Sequence, residues 1–496
     1  SAAFNQSGRL QANRMQVNAD GSISLNGGAD GDVMIAGEVE TRGVGDAVAG
    51  GQIDATGARV DVTGTLDASG EAGGGEIYVG GGWQGSDPAI AEADAVFVDG
   101  DASINADALS EGDGGTVVLW SADRTRFDGV ISARGAGEGV GGAVETSSRG
   151  VLGLGGRVDV SAESGEGGEW LLDPADLTVA EGSGANLDQS GSDYDNPVTA
   201  DTVDADSISS ALSVGGTTVT LLATNSITVD ADISKTAGAA STLIFDAGLT
   251  GDITINEGNS IASTVGDLNI DFGLSTDTGG TVTILGDVAT NGGDLNFYKT
   301  TRLASDTPVS TTVEEVSSRA AGDIHFTGDV ELASSTRSVT INAEGPSSGG
   351  GFNGLGGDIR FDGNIVSKTP TGLTDNAPQD LVLNNQGDAI SGAGVILLGN
   401  ETADSIGGTG DEGLRSLTFG SDVPVKLQAS TVNIKAVTGT VISGASDLAS
   451  APTIDLIETG GSGDFTFNIT GGSIQGVSGY TDYIQDSFDI VGPAVD

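Results

Sequence analysis

Gly251-Asp252-Ile253-Thr254-Ile255 is followed closely by Gly266-Asp267-Leu268-Asn269-Ile270. The same five-residue figure returns as Gly293-Asp294-Leu295-Asn296-Phe297, Gly322-Asp323-Ile324-His325-Phe326, Gly357-Asp358-Ile359-Arg360-Phe361 and Gly463-Asp464-Phe465-Thr466-Phe467. An earlier copy stands at Gly31-Asp32-Val33-Met34-Ile35. A sister form, Gly-Gly-x-Val/Ile, occurs at Gly50–Ile53, Gly74–Ile77, Gly114–Val117 and Gly155–Val158. Glycine turns the chain through positive φ, and aspartate or a second glycine finishes the turn. The alternating apolar residues then make a short strand with one buried face. Such strands cannot each build a core. Successive coils stacked into a solenoid bury their inward faces continuously, and the pattern predicts an all-β parallel β-helix of about twenty residues per coil.

Working outward from these repeats, helical periodicity is nearly absent. Asp204 to Val214, short and rich in serine, is the best helix candidate. A β-sandwich array is the rival fold, but aromatic residues make up only 4% of the chain, and small apolar residues suit a narrow solenoid interior. Composition shifts near residue 172: seven threonines precede residue 171, whereas 216–285 holds fourteen. The expected organisation is a Gly-rich β-helix segment at 1–172, a junction at 173–206, and a Thr/Asp-rich β-helix segment at 207–496. The last of these ends in a candidate docking strand within 479–496.

Charge and composition narrow the function. The chain carries 71 Asp+Glu against 19 Lys+Arg, a net charge of −52, which argues against tracking a nucleic-acid backbone. The absence of cysteine removes disulfide, thiolate and Cys–zinc chemistry. No apolar run is long enough to span a membrane. The N-terminal Ser1-Ala2-Ala3-Phe4-Asn5 shows no basic segment leading into an apolar one, so a signal peptide is expected to have been removed or to lie upstream.

Between Gly74 and Val179 a set of motifs occurs in fixed order. These are Gly74-Gly-Glu-Ile-Tyr-Val-Gly-Gly-Gly-Trp-Gln-Gly85, Gly112-Asp-Gly-Gly-Thr-Val-Val-Leu-Trp-Ser121, Thr125-Arg-Phe-Asp-Gly129, Val144-Glu-Thr-Ser-Ser148 and Trp170-Leu-Leu-Asp-Pro174. In that order they resemble large two-partner-secretion exoproteins of the filamentous-haemagglutinin and high-molecular-weight-adhesin type. Thr218 to Val229 is similar to the repeats that follow in that family. The resemblance implies a right-handed, elongated β-helix rod, secreted through the outer membrane of a Gram-negative cell by a transporter partner. It also implies an extracellular, cell-surface location and a role in adhesion, biofilm formation or surface assembly, against a glycan or protein receptor. The family's N-terminal secretion domain, with its Asn-rich motifs, is not recognisable here.

Individual sites are read against that background. The Asp-x-Asp pairs Asp30/Asp32, Asp99/Asp101, Asp204/Asp206 and Asp230/Asp232 are candidate Ca²⁺ ligands, because alternating carboxylates in a strand project to one side. A solvated acidic face is the plainer reading. The Asn-x-Ser/Thr sequons at Asn5, Asn400 and Asn468 are candidate glycosylation sites. Tyr480, Tyr483, Phe488, Ile490 and Val491 concentrate apolar and aromatic residues near the C-terminus. They form a cap over the chain's own last coil, or belong to a chain that continues in the natural protein, or supply a strand that docks head-to-tail on the first coil of a second copy, propagating a filament. His325, the only histidine, is expected on an outward face beside Asn296 and Arg360 of sister repeats. Gly345-Pro-Ser-Ser-Gly349 matches a nucleophile-elbow pattern without its strand–turn–helix context. With basic residues so scattered, a non-enzymatic protein is expected, and a polysaccharide lyase or hydrolase is the alternative.

Overall fold

A computed structural model describes residues 10–12, 14–18, 21–182, 201–313, 319–345, 355–369, 379–385 and 396–398, with short strands and single residues between 405 and 491. The chain divides into two compact units, Ser1–Gly251 and Asp252–Asp496.

In the first unit each coil visits three parallel sheets. One sheet runs from Ile23–Asn26 through Gln52–Thr56, Glu76–Val79, Thr116–Ser121, Ala143–Ser148, Glu169–Asp173 and Thr218–Leu222 to Ser241–Asp246. A second begins Asp32–Ile35, Arg59–Val62, Ala95–Val98, Arg124–Phe127, Val151–Leu154. The third holds Glu38–Glu40, Thr65–Asp67, Ser103–Asn105, Val130–Ser132 and Arg157–Asp159. Pairing is in register, so like positions stack: Ile23, Ile53, Ile77, Val117, Val144, Trp170, Val219 and Leu243 form one column and are all buried. Burying each aliphatic side chain contributes about 1.5–3 kcal/mol.

Coils are longer than the expected twenty residues. Ile53 to Ile77 is 24 residues, Val117 to Val144 is 27, and Trp170 to Val219 is 49. The ladder constrains only the strands, so the corners between them accept insertions freely. The repeat figure also does not mark one fixed point of the coil. Glu76–Val79 and Thr116–Ser121 follow Gly-Gly in the first sheet, whereas Arg157–Asp159 follows it in the third. This is why the copies are irregularly spaced.

The predicted helix is present as Ala205–Val214, with the Asp204 carboxylate capping the Asp206 N–H. It packs on Arg157–Asp159 and on strand Ile233–Lys235. Its serines serve that packing. Ser209 Oγ accepts the Ser234 N–H at 2.9 Å and Ser213 Oγ accepts the Thr236 N–H at 3.0 Å, so the helix satisfies donors that a neighbouring strand would otherwise take. At the beginning of the unit the cap is a fold-back. Arg14–Val17 pairs antiparallel with Ile23–Asn26, and Leu10–Gln11 pairs antiparallel with Asp32–Ile35.

The second unit repeats the plan with different filling. One sheet begins Asp252–Ile255, Thr281–Ile284, Thr300–Leu303, Val330–Leu332, Ile365–Ser367. Another begins Leu268–Phe272, Leu295–Phe297, Ile324–Phe326, Ile359–Phe361, Ile396–Leu398. A third runs from Ser260–Ser263 through Asp287–Ala289, Val309–Ser310, Ser338–Asn342 and Asp380–Asn384 to Ser416–Phe419. Phe272, Phe297, Phe326 and Phe361 share a register column, and their rings stack at 4.9, 4.6 and 4.9 Å between centroids. Offset stacking of this kind adds to the burial of each ring.

The glycines of the repeat do a different job from the expected one. Gly266 does have positive φ, at 70°. The others are needed for space. A Cβ on Gly75, Gly115, Gly142 or Gly168 would lie within 2.1 Å of the carbonyl oxygen of the glycine one coil below. Gly322 and Gly357 would meet a carbonyl oxygen at 2.2 and 1.9 Å. Glycine columns thus let the backbone of successive coils close together at the corners.

Candidate functional site

A cleft lies in the first unit beside the helix. It has a volume of about 660 Å³ and is lined by Glu181, Asp204, Asp206 and Asp232 together with Ser209, Ser210, Ser213, Ser234 and Thr236. Three of the predicted metal-site aspartates therefore share one wall system. The Asp204 Oδ1 atom is already engaged by two backbone N–H groups, those of Asp206 and Gly182, at 3.2 and 3.1 Å. Carboxylates and hydroxyls in this number suit hydrated cations and polyhydroxylated or cationic ligands more than apolar ones.

The remaining aspartates are dispersed. Asp30, Asp32 and Asp101 are exposed, and Asp99 caps the Asp101 N–H at 3.0 Å. None of the four pairs lies within a strand; they stand at strand ends, turns and the helix start. The alternation argument does not apply there, because a turn aspartate bonds to its own backbone two residues on. Among the described residues no three carboxylate or histidine side chains come close enough to hold a metal ion.

Of the sequons, Asn5 and Asn400 lie outside the described residues. Asn468 lies in strand Phe465–Ile469, in register with Asn433 and Val491. Tyr480 and Tyr483 also lie outside them. The strand Phe488–Val491 pairs in parallel with Phe465–Ile469 of its own chain, Phe465 opposite Phe488 and Phe467 opposite Ile490. Among the described residues no helix is long and apolar enough to cross a membrane.

His325 does stand in one register row with Asn296 and Arg360. Its Nε2 lies 2.9 Å from Asp362 Oδ2, and Arg360 Nε donates to the other oxygen of the same carboxylate at 2.5 Å. Asn296 Nδ2 in turn donates to Asp271 at 2.8 Å. Of the elbow-like stretch, all but Gly345 lies outside the described residues.

One site had no signal in the sequence. Glu145, on the outward face of strand Ala143–Ser148, is completely buried. The loop Gly80–Ala93 lies over it. Gln84 donates its backbone N–H to Glu145 Oε2 at 2.7 Å, from a left-handed conformation with φ 50°. Glu145 Oε1 has no hydrogen-bond partner, and Ser147 Oγ beside it sits outside hydrogen-bonding geometry. Burial pushes the Glu145 carboxyl up to about 7, against a usual 4.5. Asp173 on the next strand is pushed up to about 6 by burial and by the charge of Asp246. Trp120, also outward-facing yet 4% exposed, lies under Gly81 and Gly85, where a Cβ would come within 2.8 and 2.4 Å of its ring.

No known protein-family model matches the chain, and a search of curated proteins finds no match.

Proposed function

We propose that the chain is an extracellular structural and adhesive protein of a Gram-negative cell surface, exported by two-partner secretion and serving adhesion or biofilm and surface assembly. The supporting observation is the placement of the motifs that carry the resemblance. Gly74–Gly85, Gly112–Ser121, Thr125–Gly129, Val144–Ser148 and Trp170–Pro174 are strands and corners of four consecutive coils of one stack. A stacked ladder with a strongly acidic surface offers a long, uniform scaffold to a receptor, glycan or protein. The cleft beside the helix is the candidate contact for that receptor, or for Ca²⁺.

Phe488–Val491 continues the ladder of its own chain in parallel as one more strand. In the first unit Leu10–Gln11 and Arg14–Val17 fold back over the first strands of two of its three sheets, and the first strand of the third, Glu38–Glu40, carries two carboxylates that discourage edge pairing. The polysaccharide-cleaving alternative rests on the convergence of His325, Arg360 and Asp362.

The test is a deletion strain with purified chain added back. Lost and restored cell binding supports adhesion. Continuous fibres in negative stain would instead mark a self-assembling subunit, and oligosaccharide released from a polysaccharide panel, abolished by His325→Ala, would replace the adhesive reading with an enzymatic one. Millimolar Ca²⁺ is expected to raise the melting temperature beyond NaCl of matched ionic strength; equal effects would leave only screening.

A further inference from the structure

The loop Gly80–Ala93 is built as a movable body. Its neck is closed by the Ala93 N–H donating to the Gly80 carbonyl at 2.6 Å, and internal turns hold its tip, Gly85 N–H to Gly82 at 2.9 Å and Ser86 N–H to Trp83 at 3.0 Å. Its neck is tied to neighbouring coils by the Gly80 N–H to the Ala55 carbonyl and the Ala122 N–H to the Ala93 carbonyl, both at 2.8 Å, and beyond the neck it is fastened at few points. Gln84 N–H reaches Glu145, two glycines rest on the Trp120 ring, and Glu92 pairs with Arg149 at 3.3 Å on an exposed edge. Arg149 also lies 4.9 Å over the Trp120 ring.

We propose that Gly80–Ala93 is a proton-held strap, shut over Trp120 while Glu145 is protonated and released when Glu145 gives its proton to solvent. The argument is one of charge burial. A neutral carboxyl can accept the Gln84 N–H on Oε2 and share a hydrogen bond with Ser147 Oγ through Oε1. An ionised carboxylate can take the same Gln84 and Ser147 donors, but it keeps a full charge in a site closed to solvent with no cation beside it, and that is costly. The charged and titratable groups around it do not relieve this. Asp173 on the next strand adds negative charge, Tyr78 and Asp87 bring no cation, and Arg149 is engaged by Glu92 and Trp120. Released, the strap would bare Trp120 and the neighbouring outward-facing Val118, which are buried when it is shut. The surface of this stack would then be closed and polar in acidic medium, and open and apolar in neutral medium.

Hydrogen–deuterium exchange of the strap peptide in the full chain, corrected for the intrinsic pH dependence of exchange, tests this between pH 5 and 8. Strap opening is expected to rise by up to roughly a hundredfold across that range. Glu145→Gln, which accepts from Gln84 and donates to Ser147 at every pH, is expected to stay shut throughout. A pH-independent wild type, or a Glu145→Gln variant that follows the wild-type profile, overturns the proposal. If Glu145→Gln does not fold, Asp173→Asn decides. Removing the neighbouring charge is expected to move the midpoint to lower pH; an unmoved midpoint, or loss of the transition altogether, overturns the assignment to Glu145.

Discussion

The two units turn their corners differently. In the first, Gly-Gly steps at Gly74–Gly75, Gly114–Gly115, Gly141–Gly142 and Gly167–Gly168 close through backbone hydrogen bonds. The second glycine of each donates its N–H to a carbonyl of the preceding corner at 2.7–2.8 Å, those of Ala68, Ala106, Ala133 and Val160. In the second unit the glycine step is kept, at Gly293, Gly322 and Gly357, and the residue after it is aspartate, whose side chain is used. Asp294 Oδ1 accepts the Asp323 N–H at 2.8 Å, and Asp323 Oδ1 accepts the Asp358 N–H at 2.7 Å. The same relay begins at Asn269, which accepts the Asp294 N–H at 3.0 Å. Backbone closeness is common to both. In the second unit aspartate rungs follow one another at one position of successive coils, whereas in the first they stand singly, as where Asp113 Oδ1 accepts the Val140 N–H at 2.9 Å. The difference teaches that one glycine step can rest on close backbone packing or be reinforced, coil after coil, by the side chain that follows it.

The largest effect that could break this comparison is steric. Gly142→Ala places a Cβ 2.1 Å from the Gly115 carbonyl oxygen, so the corner must shift. A loss of several kcal/mol is expected in denaturant unfolding of the first unit. A loss below about 0.5 kcal/mol would mean that the corners have slack.

A smaller effect separates the units by pH. Glu145 and Asp173 both lie in the first unit, and both are raised by burial, to about 7 and about 6. A carboxyl raised on folding binds its proton more tightly in the folded state. Stability is therefore fullest below the ordinary carboxylate range and is lost as pH rises through the folded values. The first unit should lose on the order of 2 kcal/mol between pH 5 and 8, and Glu145→Gln should remove most of that slope. Melting curves at a series of pH values check it.

The smallest effect sharpens the aspartate rung itself. Asp323→Ala should cost about 1 kcal/mol, and Asp323→Asn, which keeps an acceptor, less than half as much. Equal losses for the two would show that the rung acts through charge and not through the hydrogen bond. Differential scanning calorimetry of the two variants is sensitive enough.

The strands were legible because their information is local. Ile253 and Ile255, or Leu268 and Ile270, alternate with polar neighbours, and all four are buried. The helix Ala205–Val214 was legible only as the best candidate in a chain with little helical periodicity, and its Asp204 cap emerged from the structure. What could not be read is everything that depends on which coil lies beside which. Glu145 and Gln84 are 61 positions apart in the chain, and nothing near either says that one is roofed by the other. The Asp-x-Asp pairs misled for the opposite reason. Their spacing is strand-like, but they stand at strand ends, in turns and at the helix start, where Asp99 and Asp204 each bond their own backbone two residues on. The stacked phenylalanines were visible only as repeated letters; that they form one ring column follows from register.

Register is therefore the central claim, and the absence of cysteine makes it directly testable. Thr254 and Thr283 stand opposite each other on adjacent parallel strands, at outward positions beside Ile253–Val282 and Ile255–Ile284. Neighbouring parallel strands hold such residues about 4.8 Å apart, within disulfide reach. In the double variant Thr254→Cys/Thr283→Cys, mild oxidation should close a disulfide in nearly every molecule, whereas Thr254→Cys/Thr281→Cys, two positions out of register, should stay reduced. Efficient closure of the second pair with failure of the first would contradict the stacking on which this account rests.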